Sequence, residues 1–330
     1  MMRKVLFLFG LLTLVACKPS MEKKVYQGLV QGSFFAVTYY DEQGRDFKRE
    51  IDSVFHAIDL SVNLWVDSSV ICKVNRNEEV VLDDIFIDNF NIGQEAARIS
   101  GGYFDPTISP LVSAWGFSAK QGVEVSPSLV DSLRQLVDYR KVHLEDGKVV
   151  KEDPAMQLDF NAIAQGYTAD AVASLLASKG VSHYLVDVGG EIAAHGGKPE
   201  GKPWIVGIEK PASQMDAEVE LQSFVSMTDG GLVTSGSTRK YVERDGKRYS
   251  HCIDPMTGYP VDHQVLSVTV KAKNSVWADA YASMGMVMGM EKSLALFETL
   301  EDVEAYYIFV NAQGELETFA TEGFKIMEDR

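Results

Sequence analysis

Strand-like and helix-like segments follow one another irregularly along this 330-residue chain, and that order constrains the fold more than any other feature. A strand-like run at 25–40 precedes helical spacing at 47–60 and 85–99, whereas residues 184–271 hold five strand-like runs with no helix among them. A parallel βαβ protein would alternate strands with helices throughout. The pattern therefore predicts an α+β fold with mixed sheets and flanking helices.

The strongest single helix prediction covers residues 162–179, directly after a short strand at 156–160. Asn161 is the expected N-cap and Gly180 the expected stop. A helix start after a strand presents backbone N–H groups and a positive dipole end, which can hold a phosphate.

The N-terminus has the layout of a bacterial lipoprotein signal. Arg3 and Lys4 precede the apolar stretch 5–14, and small residues then lead to Cys17. Cys17 would be lipidated and become the mature N-terminus; the alternative is a plain secretory peptide with an incidental cysteine. The predicted organisation is a signal peptide at 1–16, a lipidated N-terminus and tether at 17–24, and a single two-lobed domain at 25–330. The chain is expected to face the periplasm, anchored to a membrane.

Charge and cysteine content argue against nucleic-acid binding and against a zinc site. With 31 Lys and Arg against 47 Asp and Glu, the formal charge is −16, so nucleic acid is not an expected partner. Besides the predicted lipidation site there are only Cys72 and Cys252, which could either pair or stay as separate, largely buried thiols. No CxxC motif or Cys/His cluster indicates zinc.

Two short segments carry residues suited to phosphate chemistry. His251 and Asp254 stand where a strand enters a turn, and a histidine there can act as a general acid or base. Asp279 and Ser283 are four residues apart on a predicted helix, so their oxygens share one face. A carboxylate with a hydroxyl suits a hard cation such as Mg²⁺, which completes its shell with water and substrate phosphate.

The order of the motifs resembles that of one known family. The chain is similar to the ApbE-type flavin transferases in a succession that covers nearly all of its mature part: FDPTISPLVSAWGF (104–117), LDFNAIAQGYTAD (158–170), LVDVGGEI (185–192), WIVGIEKP (204–211), LVTSG (232–236), HCIDPMTGYP (251–260) and WADAYASMGMVMG (277–289).

This resemblance implies an activity and its partners. Members of the family bind FAD with Mg²⁺ in a cleft between two lobes, cut the pyrophosphate, release AMP and attach FMN to a threonine or serine of an acceptor protein. Typical acceptors are flavin-bearing subunits of membrane redox complexes. Some members hydrolyse FAD to FMN and AMP instead.

The resemblance also assigns roles to individual residues. The metal ligands would be the Ala164 carbonyl, Asp279 and Ser283, where the family usually has threonine at the last position. His251 and Asp254 match the family's His-x-x-Asp-Pro turn beside the flavin and phosphates, and as a mechanistic hypothesis we take His251 as the base and Asp254 as the residue that orients it. The expected contacts with the cofactor are Thr107, Asn161 at the helix start, Glu191, Ser235, Gly236 and His251. The chain departs from the family at Gln165, where a lysine is common, so a positive charge near the phosphates is missing.

Two rival functions remain open on the sequence. An FAD pyrophosphatase would use the same site with water as the acceptor. An extracytoplasmic flavin- or solute-binding lipoprotein would need no metal site, and the pair Asp279 and Ser283 argues against it. The sequence leaves undecided the acceptor, the oligomeric state and whether the lipid anchor lies in the inner or the outer membrane.

Overall fold

A computed structural model describes residues 21–118, 123–211, 218–237, 241–244 and 247–327. The predicted signal peptide and residues 17–20 of the tether, including Cys17, lie outside these ranges, whereas residues 22–24 of the predicted tether belong to the first strand. Within them, no helix combines the length and the apolar character needed to cross a membrane.

Eight α-helices and fourteen strands make up the described part of the chain. The helices are α1 (Lys48–Val62), α2 (Val70–Asn75), α3 (Asp84–Ser100), α4 (Ser109–Trp115), α5 (Pro127–Arg134), α6 (Asn161–Ser178), α7 (Ser275–Met288) and α8 (Met290–Phe297). The strands are β1 (Glu22–Val30), β2 (Ser33–Asp41), β3 (Val142–Glu145), β4 (Lys148–Lys151), β5 (His183–Val188), β6 (Glu191–His195), β7 (Trp204–Glu209), β8 (Leu221–Met227), β9 (Gly230–Gly236), β10 (Tyr241–Arg244), β11 (Lys247–Ser250), β12 (Val265–Ala272), β13 (Glu304–Val310) and β14 (Leu316–Ala320).

One antiparallel sheet organises the molecule. Its eight strands run in the order β1-β2-β5-β6-β9-β12-β13-β14, and every neighbouring pair is antiparallel. Three separate hairpins, β3–β4, β7–β8 and β10–β11, form the smaller sheets. The α+β fold predicted from the sequence is confirmed, because helices flank a mixed-order sheet with no parallel strand pairs among the named strands.

Both faces of the large sheet are covered. On β13, Ala305 and Tyr307 join the core beneath the helices, whereas Tyr306 and Ile308 join a second core beneath the β7–β8 hairpin. Successive side chains of a strand point to opposite faces, which explains this division. Helices α6 and α7 therefore lie on one face of the sheet, where Ile163 and Ala278 are fully buried.

The structure corrects several element predictions. Residues 25–40 form a hairpin instead of one strand, because Gln31 and Gly32 both adopt positive φ (51° and 73°), as a tight two-residue hairpin turn requires. Ser235 and Gly236, which are expected contacts of the cofactor, are the last two residues of strand β9 and pair with β12. Strand β9 was not predicted because glycine, which is uncommon in strands, makes up much of its length.

The two cysteines that could have paired stay separate. Cys72 and Cys252 are both free thiols, and no disulfide joins them.

Candidate active site

Helices α6 and α7 touch backbone to backbone at Gly166. A Cβ placed on this glycine would lie 2.7 Å from the Ser275 carbonyl oxygen and 2.8 Å from Asp279 Cβ, closer than real side-chain atoms approach. The absence of a side chain lets the Gly166 N–H donate to Asp279 Oδ2 at 3.1 Å. Glycine at this position therefore brings the two helices, and the motifs that they carry, into direct contact.

The three predicted metal ligands lie on these two helices. Asp279 is buried, with 5% of its surface exposed, and Ser283 follows one turn later on α7 as a half-buried residue. Ala164 lies two residues before Gly166 on α6, and its carbonyl accepts a hydrogen bond from Thr168 Oγ1 at 2.7 Å. The sequence could not show this contact between helices, since the two motifs are more than a hundred residues apart.

This donor set fits Mg²⁺. A carboxylate, a hydroxyl and a carbonyl supply only oxygen, which hard divalent cations prefer. Among the residues that the structure describes, no group of three or more His, Cys, Asp or Glu side chains could hold a metal. A site with a single carboxylate leaves coordination positions to water and to substrate phosphates, which is the usual arrangement for Mg²⁺ in phosphoryl chemistry.

The start of α6 differs from the sequence prediction. Helix α6 begins at Asn161, so Asn161 is its first helical residue and the predicted N-cap is wrong. The side chain that serves the helix start is Asp159, whose Oδ1 accepts the Asn161 N–H at 2.8 Å. Burial raises the pKa of Asp159 to about 6. One N–H of the helix start is thus bonded to a carboxylate, and the side chain of Asn161 is exposed.

The side chain of Thr107 is bonded within the protein interior. It is fully buried, and its hydroxyl donates to Asp105 Oδ1 at 2.6 Å and accepts the Asp138 N–H at 2.9 Å. Burial also raises the pKa of Asp105. These bonds use the hydroxyl proton inside the protein, so the geometry favours support of the loop by Thr107 over the cofactor contact that the resemblance implied.

Three polar side chains converge on the turn between β5 and β6. A Cβ on Gly189, which has a φ of +71°, would lie 2.5 Å from Gln165 Nε2, 3.0 Å from Ser33 Oγ and 3.1 Å from Glu191 Oε2. Gln165 therefore reaches from α6 to the Gly-Gly-Glu turn, where it stands near Glu191. The predicted cofactor residue Glu191 and the site of the missing family lysine belong to one cluster.

The turn that follows His251 is closed by Asp254. Asp254 Oδ1 accepts the Met256 N–H at 2.8 Å, and its carbonyl accepts the Gly258 N–H at 2.7 Å. The ring of His251 packs against Phe117 with centroids 6.3 Å apart. Asp254 thus shapes the turn through the backbone, and the roles of His251 as base and of Asp254 as its orienting partner stay predictions.

Trp115 holds this turn from α4. Its Nε1 donates to the Gly258 carbonyl at 2.9 Å, and its ring lies against Tyr249 and Tyr259. Gly258 has a φ of +79°, and a Cβ there would lie 2.6 Å from Val130 Cγ1. Sequence analysis missed Trp115 as a supporting residue, although the tryptophan stands inside the first of the quoted motifs.

Comparison with known proteins places the chain in a family. A sequence profile of the ApbE family matches residues 31–307. An FAD:protein FMN transferase of Vibrio cholerae is 31% identical over 300 residues, which cover 88% of this chain and 89% of the relative. The structure resembles flavin transferase ApbE from Vibrio cholerae (TM-score 0.81, 28% identity, 92% and 98% of the two chains covered).

The apo form of Pseudomonas stutzeri flavinyl transferase ApbE is similar to the same degree, with a TM-score of 0.80 and 31% identity over 92% of this chain and 96% of that one. The family match over residues 31–307 includes α6, α7 and the turn after His251. The fold, the order of the motifs and these likenesses lead to one conclusion: the chain belongs to the ApbE family.

Proposed function

We propose that this chain is an FAD:protein FMN transferase that requires Mg²⁺, releases AMP and attaches FMN to a threonine or serine of an extracytoplasmic acceptor protein. The observation that carries the proposal is the contact between α6 and α7. There the Gly166 N–H bonds Asp279 at 3.1 Å, so the carboxylate and hydroxyl of α7 adjoin the Ala164 segment of α6. A protein that only bound flavin would not need this arrangement of oxygen ligands.

The residues divide the work as follows. Ala164, Asp279 and Ser283 would hold Mg²⁺, which when bound offsets the negative charge of the FAD pyrophosphate. Gln165 and Glu191, which meet at Gly189, would contact the cofactor by hydrogen bonds. The amide of Gln165 brings no charge, so this chain depends more on the cation than a relative with lysine would.

Proton transfer is assigned to His251. As the acceptor hydroxyl forms a bond to the phosphorus of the FMN half, His251 takes the hydroxyl proton. The bond between that phosphorus and the bridging oxygen breaks, and AMP leaves with the electron pair. Asp254 closes the turn that directly follows His251, so the position of the base depends on the shape of that turn.

The test is a reaction with defined components. The chain is incubated with Mg²⁺, FAD and a candidate acceptor domain, and mass spectrometry of the acceptor is combined with chromatographic measurement of AMP. We expect one hydroxyl residue of the acceptor to gain the mass of FMN less one water, with AMP formed in equal amount. Replacing that residue with alanine in the acceptor is the matched control.

Other outcomes identify the rival functions. AMP and free FMN, with no flavin on the acceptor, would support an FAD pyrophosphatase. FAD binding without AMP formation at any Mg²⁺ concentration would support a binding lipoprotein and overturn the proposal.

We also propose that the chain is a lipoprotein anchored through Cys17 and faces the periplasm, where it would meet its acceptors. The support is the signal-like sequence at 1–16. Expression with a radiolabelled fatty acid should label the wild-type chain and leave Cys17→Ala unlabelled. Equal labelling of the two would contradict the anchor.

A further inference from the structure

Asp170 connects the two helices of the candidate site at a second point. It lies on α6, one turn beyond Gly166, and its two carboxylate oxygens accept hydrogen bonds from the first turn of α7. Oδ1 accepts the Ser275 N–H at 3.0 Å, and Oδ2 accepts the Val276 N–H at 2.8 Å. Both donors belong to the N–H groups that have no partner within a helix, so the carboxylate caps α7 from outside.

A second cap serves the same helix from within its own segment. Asn274 is the N-cap residue of α7, and its Oδ1 accepts the Trp277 N–H at 3.3 Å. The two caps differ in what they connect. The Asn274 side chain moves with α7, whereas the Asp170 side chain moves with α6. Of these two caps, only the Asp170 side chain therefore links one helix to the other.

The position that it fixes is that of the ligand set. Val276 lies three residues before Asp279, so a shift of the first turn of α7 displaces that carboxylate by a comparable distance. On the other helix, Asp170 lies six residues beyond Ala164. Residues that orient metal ligands without touching the metal commonly change metal affinity about 10- to 100-fold when they are replaced.

We propose that Asp170 is a positioning residue for the divalent cation: by capping α7 from α6 it holds Asp279 and Ser283 in register with the Ala164 carbonyl. The inference rests on the proposed function, because it takes these three groups as the Mg²⁺ ligands. It assigns Asp170 no contact with the metal or with FAD.

The decisive comparison is between Asp170→Asn and Asn274→Ala in the full chain. An asparagine at 170 has one oxygen and an amide that cannot accept, so it loses one of the two bonds between helices. Asn274→Ala removes a cap from the same helix end without affecting the link. Two quantities are measured for each: binding of Mn²⁺, followed by the loss of its free-ion EPR signal, and the Mg²⁺ dependence of AMP release.

For Asp170→Asn we expect Mn²⁺ affinity to fall about 10-fold and the half-saturating Mg²⁺ concentration to rise by the same factor. The rate at saturating Mg²⁺ should stay within about threefold of wild type, because the reacting groups are unchanged. Asn274→Ala should lower the melting temperature and leave both metal constants unchanged.

Gly166→Ala is the second variant, for the case that Asp170→Asn does not fold. Its Cβ would collide with Ser275 and Val276 and push the helices apart, so it should weaken Mn²⁺ binding in the same way. Equal metal constants in wild type and folded Asp170→Asn, or the same loss in Asn274→Ala, would overturn the inference. A wild-type chain that never releases AMP with Mg²⁺ would instead overturn the proposed function.

Discussion

The helix crossing and the His251 turn are built by different means. At the crossing, the contact at Gly166 is made by backbone atoms of two buried helices, and two further bonds run from Asp170 to main-chain N–H groups. The turn is a surface segment, closed by Asp254 and held by side-chain contacts with Trp115.

The proposed reaction has two requirements that match this difference in construction. A cation needs ligands at fixed distances, which a backbone contact between helices provides. A base must approach an acceptor that arrives from outside, and a turn at the surface allows this. We therefore expect substitutions at the crossing to act on metal binding, and substitutions at the turn to act on the rate at saturating metal.

The largest effect should come from Asp279→Ala. It removes the single carboxylate of the predicted ligand set, so Mg²⁺-dependent AMP release should fall by about 10³-fold or more, the scale of losing a stabilising charge in the transition state. Mn²⁺ binding should be lost as well, with circular dichroism verifying the fold. Retained turnover would remove Asp279 from the ligands.

His251→Ala should lower the reaction rate and leave metal binding unchanged, in contrast to Asp279→Ala, which should abolish metal binding. Loss of a general base costs about 10²-fold or more in rate, whereas the half-saturating Mg²⁺ concentration should stay as in wild type. Initial rates of FMN transfer over a Mg²⁺ series measure both. A rate equal to that of wild type would exclude His251 as the base.

Gly258→Ala should disturb the turn without touching the crossing. Its Cβ would meet Val130 Cγ1 at 2.6 Å in a backbone conformation with φ of +79°, so we expect a loss of about 3 kcal/mol in the free energy of unfolding. Urea denaturation measures this, and Mn²⁺ binding by the folded variant should be unchanged. Weakened Mn²⁺ binding would show that the turn and the crossing are coupled.

Asp159, at the start of α6, should make the free energy of unfolding depend on pH. Burial raises its folded pKa from 3.8 to about 6, so between these values the folded carboxyl is protonated while the unfolded one is ionised. The unfolded state then binds fewer protons, and the free energy of unfolding falls as pH rises through this window, by about 2 kcal/mol from this group.

Urea denaturation of wild type and Asp159→Asn at pH 4.5 and pH 7 isolates that contribution. The variant carries no titrating group at position 159, so its stability should fall less over the interval than that of wild type. A parallel pH dependence in the two proteins would assign the effect to other carboxyl groups.

The smallest effect is expected for Trp115→Phe. This change keeps an aromatic ring and deletes only the donor to the Gly258 carbonyl, at a cost of about 1 kcal/mol. The melting temperature should fall by a few degrees. A change in Mn²⁺ affinity would contradict the separation of turn and crossing.

Local sequence signals predicted much of the fold. Helix α3 covers the helical spacing predicted at 85–99 and ends where Gly101 adopts a left-handed conformation, and Asp146-Gly147 forms the turn of the β3–β4 hairpin. Strands β6 and β9 were missed because alanine and glycine make much of their length. Those small residues suit a position beneath packed elements: a Cβ on Gly231 would collide with the backbone of Asn274 and Ser275.

The sequence proposed members for the candidate site but not the bonds between them. The order of motifs pointed to Ala164 and Asp279, and the structure brings their helices into contact. The bonds from Asp170 to α7 depend on a tertiary contact, whereas Asp159 accepts the N–H of Asn161 only two residues further along the chain. No local pattern distinguishes an aspartate that caps its own helix from one that caps a neighbour.

The start of helix α7 packs against two elements, α6 at Gly166 and β9 at Gly231. At both places a glycine lets the backbones approach with no side chain between them. Close backbone contacts with two elements leave α7 little freedom to move relative to the sheet and to α6. We expect any opening and closing of the enzyme during turnover to leave α7 still and to shift the segments around it. Exchanging the cation or the flavin should then alter loop positions while α7 keeps its place against α6 and β9.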